Sequence, residues 1–152
     1  MQTELYNLPA GREVDLLVST HVMGNIVKYP DELSLKEEVW FWEHPKYGVL
    51  IGTPYASDLM NGQYAHSWRK FSPSTDIRDA WMAIEKIRDG DKYWCPNVYW
   101  DDDDGLSSGF WCCQFDYFGE DEKDFKITTG IGDTAWLAIC RASLKVVFKI
   151  FI

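Results

Sequence analysis

The sequence predicts an α+β fold, and three observations carry that expectation. Apolar residues recur at helical spacing in three places, near residues 10–23, 76–90 and 133–148. Aromatic runs bounded by acidic turns lie between the second and third of these, the pattern of an antiparallel meander. The chain has 152 residues, 46% of them apolar, which matches one ordinary domain with material for a full core.

Leu8-Pro9-Ala10-Gly11 reads as a helix start with proline in the first turn. Val14, Leu17, Val18 and His21 then repeat at i, i+3, i+4 and i+7, and Gly24 supplies a stop. Val39-Trp40-Phe41-Trp42 and Gly48-Val49-Leu50-Ile51 flank His44-Pro45-Lys46, which predicts two short strands and a turn. Residues 53 to 73 carry Pro54, Gly62 and Pro73 without a clear period, so they read as the longest irregular segment, the kind that often holds binding residues.

Ser74-Thr75-Asp76 offers side-chain oxygens to orphan backbone N–H groups and so begins a second helix. Its expected apolar stripe is Ile77, Trp81, Ile84 and Ile87 or Arg88, ending at Asp89-Gly90. Residues 93–100, 109–118 and 124–129 form the predicted meander. A third helix starts at Asp133 or Thr134, with Leu137, Cys140, Leu144, Val147 and Phe148 on one face.

Charge and composition exclude some functions. Aromatic residues reach 16%, against a disordered chain, and the net charge of −9 argues against non-specific nucleic-acid binding, which needs clustered cations. Residues 101–124 hold nine acids and one lysine, so most of the negative charge is local. If residues 110–118 form a strand, the acidic turns around Asp101, Asp102, Asp103 and Asp104 and around Glu120 to Asp124 sit at its two ends, about 30 Å apart. Two readings of these turns stay open: solvated hairpins that keep aromatic strands soluble and discourage edge pairing, or a surface for DNA mimicry or capture of a basic partner. A calcium loop is disfavoured, because Trp100 and Trp111 fall where its first and last acidic ligands belong.

The four cysteines contain no C-x-x-C pair, and adjacent Cys112 and Cys113 should point to opposite faces of a strand. Three histidines are scattered without metal-ligand spacing, so no metal or other cofactor is expected. Met1 to Tyr6 shows no basic start followed by an apolar run, so no signal peptide is expected either. No apolar run approaches the ~20 residues of a membrane helix.

Three segments resemble the phage ABA sandwich domain family. They are Leu8-Pro-Ala-Gly-Arg-Glu-Val-Asp-Leu-Leu-Val with Val22-Met23-Gly24, then Pro73-Ser-Thr-Asp-Ile77 with Ala80-Trp81 and Ile84-Glu85-Lys86, then Asp133-Thr134-Ala135 with Leu137-Ala-Ile-Cys-Arg-Ala142. They occur in the family's order across residues 8 to 142, and Tyr29 to Trp68 fits the pattern least. The resemblance implies a phage or prophage origin and a sheet with helices packed on both sides. The fold expected is therefore a three-layer α/β/α sandwich, with a mainly antiparallel sheet of about five strands and three main helices. No catalytic signature comes with it.

Four constellations bear on chemistry. Gly130-Ile131-Gly132-Asp133-Thr134-Ala135 has the letters of a dinucleotide-binding turn, but the second parallel strand and distant acid are missing, so it reads as a strand-to-helix turn. Asp76 reads as a capping residue. Arg141 is expected to pair with a carboxylate such as Asp76 or Asp133, or else to meet an anionic ligand. Trp68-Arg69-Lys70, with Tyr55 and His66 in the same irregular segment, combines ring faces with cations, a set that can stack a base and hold a phosphate. The plainer reading has Trp68 plugging a sheet–helix interface.

Together these predict a non-enzymatic phage accessory protein of the host bacterial cytoplasm, with a counter-defence role. It would bind a small ligand such as a nucleotide signal through Tyr55, His66, Trp68, Arg69 and Arg141, with no direct nucleic-acid or membrane partner. The alternatives are an inhibitor that holds a host defence protein through Asp101 to Asp104, and a virion or assembly component. Self-association stays open.

Overall fold

The computed structural model describes residues 7–24, 26–28, 39–54, 66–102 and 109–151, with the backbone alone at 53–54, 66–67 and 122. Helix α1 begins as an α-helix, Arg12–Leu17, and continues without a break as a π-helix, Val18–Met23. The wider π turn explains why its buried positions are Val14, Val18 and Val22, four apart, with Ser19 and Met23 beside them. The expected stripe holds at Val14 and Val18 and departs at its other two positions: Leu17 is only half-buried and His21 is exposed against the Phe148 ring. Gly24 ends the helix with φ 71°, a conformation that favours glycine.

Four strands follow as one sheet: β1 (Ile26–Val27), β2 (Trp40–His44), β3 (Gly48–Pro54) and β4 (His66–Lys70). They are ordered β1-β2-β3-β4, with β1 parallel to β2 and the other pairs antiparallel. The segment read as irregular therefore contains the end of β3 and all of β4. Gly52 faces Trp68 across this pair, and a Cβ on Gly52 would lie 2.6 Å from the indole. The missing side chain is where the ring rests, a pairing that no periodicity reveals.

Helix α2 (Ile77–Gly90) is capped by Asp76, whose carboxylate accepts from the Arg78 N–H at 2.9 Å. Then come β5 (Trp94–Asp101), β6 (Phe110–Phe118) and β7 (Phe125–Gly132), a three-stranded antiparallel sheet. Helix α3 (Ala135–Val147) starts from Thr134, whose Oγ1 accepts from the Leu137 N–H. Cys112 and Cys113 alternate across β6 as expected, and burial pushes the Cys113 and Cys140 thiols up, away from the thiolate.

A single sheet of about five strands is thus replaced by two sheets, of four and three strands. The three helices pack on one another, with α1 against β3 and α3 against β6 and β7. One connected core results, from Val18, Phe41, Phe71, Ile84, Phe115 and Leu144 among others.

The glycines read as a turn lie inside β7, and their role is close approach. A Cβ on Gly130 would sit 2.3 Å from the Ala142 nitrogen and 2.5 Å from the Ala138 carbonyl oxygen. Backbone thus lies directly on backbone, with alanines on the helix side. From the same helix, Arg141 donates to the Ile131 carbonyl (2.8 Å) and to the Leu8 carbonyl (2.9 Å), and Lys145 donates to the Thr129 carbonyl (2.7 Å). Both cations therefore serve β7, the edge strand of the smaller sheet among the described residues.

Candidate functional site

Alternation along β4 separates the residues expected to act together. Trp68 lies on the face away from Phe41 and Ile51, edge-on to Trp42 at 5.5 Å, a face on which no helix packs among the described residues. Arg69 points the other way and donates to the buried Asp79 carboxylate at 2.8 Å. Tyr55 lies outside the described residues, and His66 is placed by its backbone alone, opposite Pro54. Arg141 bonds carbonyls rather than the expected carboxylate and sits at β7, apart from the others. Asp101 closes β5 opposite Phe110, Asp102 is exposed just beyond it, and Asp103 and Asp104 fall outside the described residues. Asp121 lies past the far end of β6 from Asp101 and Asp102.

A different cation-lined cleft forms where the β2–β3 hairpin meets α1 and the segment before α2. His44 builds the hairpin: its Nδ1 accepts from the backbone N–H groups of Lys46 (3.0 Å) and Tyr47 (3.1 Å), and Gly48 takes φ 82°. The Arg12 guanidinium crosses over the turn and donates to the carbonyls of His44 and Pro45. The cleft holds about 230 Å³ and is lined by Arg12, Lys46 and Lys70, by Ser72 and Thr75, and by the Tyr47 ring. Tyr47 is well exposed, and the Lys46 ammonium lies 5.2 Å from its ring centre.

Asp15 forms the floor. It is 5% exposed, and its carboxylate accepts from the Ser74 N–H at 2.8 Å, while Ser74 Oγ accepts from the Gly11 N–H. Burial raises the Asp15 pKa, against the lowering effect of the Ser74 bonds and of Lys70. An acid raised in the folded state favours folding below its unfolded value, near 3.8, and that contribution is lost as pH rises through the folded value. Asp15→Asn keeps an acceptor oxygen for Ser74 and has no proton to release. It should flatten the fall in stability measured by urea unfolding as the pH is raised above about 4. An unchanged slope would assign that fall to other groups.

Sequence reasoning named Lys70 but missed Arg12, Lys46 and Tyr47. Lys46 and Lys70 are brought together only by register, since Lys70 pairs with Leu50, two residues beyond Gly48. The hairpin glycine after Lys46-Tyr47 was the one local signal. Among the described residues, no group of three or more His, Cys, Asp or Glu side chains could hold a metal ion. No helix among them is long and apolar enough to cross a membrane.

Fold and site together define an α+β protein with a cation-lined cleft beside a hairpin turn. Compared with known family models, curated proteins and solved structures, the chain matches none.

Proposed function

We infer that the protein is a non-enzymatic binding protein for a small anionic ligand of the phosphate-bearing class, held in the cleft between α1 and the β2–β3 hairpin. The observation that carries this is the convergence of Arg12, Lys46 and Lys70 on one cavity whose only acid among the described residues is the buried Asp15. Charge-assisted bonds to an anion are the strong ones, and a partly enclosed cavity strengthens them. The exposed Tyr47 ring at the rim supplies a face for a planar base, which favours a nucleotide within that class. A role in a phage-infected bacterial cytoplasm, including counter-defence, is supported by the three resembling segments alone.

The test is titration calorimetry with inorganic phosphate and with linear and cyclic nucleotides. Binding that weakens about tenfold or more in Lys46→Ala and in Lys70→Ala, and falls with added salt, is the expected result. A flat response to every probe sinks the reading, as does binding that neither lysine affects.

A further inference from the structure

The second helix presents a face that the sequence assigned to the core. Ala80, Ala83, Ile84 and Ile87 turn inward, while Trp81 stays 47% exposed and Ile77 43%. These two border a groove of about 520 Å³ together with Arg69, Arg78, Met82 and Glu85. An exposed indole beside a methionine and an isoleucine is the composition of an interface centre, where tryptophan and arginine are enriched.

We propose that this face pairs with the same face of a second copy of the chain, α2 antiparallel on α2 across a two-fold axis near Trp81. The charges on this face are self-complementary. Arg78, Trp81 and Glu85 lie at i, i+3 and i+7, one stripe of the helix. In an antiparallel pair, positions equally distant from the axis oppose each other. The midpoint of Arg78 and Glu85 falls between Trp81 and Met82, so with the axis there each arginine faces the glutamate of the other copy, and the contact occurs twice. The two indoles meet at the centre, and Ile77 and Met82 close the sides. Glu85 makes no ion pair among the described residues. Arg78 holds Asp76 through Nε and Nη2, with no bond to Nη1 among the described residues. This proposal is independent of the cation-lined cleft, which uses none of these residues.

Sedimentation equilibrium on the full chain tests it, with melting curves and near-ultraviolet circular dichroism to confirm that each variant is folded. The parent chain should approach dimer mass as concentration rises toward about 500 µM. Arg78→Glu and Glu85→Arg should each weaken association about tenfold or more, because each places like charges together twice. The double variant R78E/E85R should recover to within about threefold of the parent, since the pair is restored in reverse. Trp81→Ala should abolish the dimer. A parent chain that stays monomeric overturns the proposal. So does a dimer indifferent to the single reversals, or a double variant as weak as its components.

Discussion

Replacing Gly130 by alanine is expected to destabilise the protein by about 3 kcal/mol, seen as a fall of about 10 °C in melting temperature. The added methyl meets the Ala142 nitrogen at 2.3 Å and the Ala138 carbonyl oxygen at 2.5 Å. Both are backbone atoms of α3, so no rotamer change clears the space, and the helix must lift from β7 as a body. Trimming the neighbour does not help, and the double variant Gly130→Ala with Ala142→Gly should be no more stable than the single one. Gly132→Ala makes a useful control. Its nearest contacts are at 3.1 Å and two of them are Leu137 side-chain atoms, so its cost should be nearer 1 kcal/mol. Equal melting temperatures for the parent and Gly130→Ala would show that α3 does not rest on this strand as described.

Asp79→Ala is expected to cost about 3 kcal/mol in urea unfolding. The Asp79 carboxylate is fully buried, with Oδ1 accepting from Arg69 Nη2 and Oδ2 accepting from the Ser72 N–H, both at 2.8 Å. Its removal strands a backbone donor and releases an arginine at once. Asp79→Asn keeps one acceptor oxygen for Ser72 and should lose roughly half as much. If alanine proves no worse than asparagine, the bond to Ser72 is not what the carboxylate contributes. Ser72 and Thr75 line the cation-bearing cleft, so loosening this anchor should also weaken anion binding there.

The parts of the fold that follow from local chemistry were legible in the sequence. Asp76 and Thr134 cap their helices through side-chain oxygens, and Gly24 stops α1, as the residue types require. Strand β6 occupies Phe110–Phe118, between its two acidic turns. What failed depended on partners far away in the chain. The inward face of α2 is set by small Ala80 and Ala83, which let the other helices approach, and this turned Trp81 and Ile77 outward against their hydrophobicity. The π turn shifted the burial of α1 beyond His21. Strand β4 is held by a ring lying over Gly52, a contact between residues 16 positions apart. The candidate site divided in the same way. Trp68 and Arg69 are adjacent in sequence and opposite in space, whereas Lys46 and Lys70 meet through the pairing of β3 with β4.

The two cations that α3 lays across β7 carry a consequence for growth. Any extended chain arriving at that border needs the carbonyls of Thr129 and Ile131, and Arg141 and Lys145 already occupy them. Templated extension on this flank, and fibril-like stacking through β7, would first have to displace a guanidinium and an ammonium donor. A protein with so many rings in its strands thus has this border plugged from within its own fold.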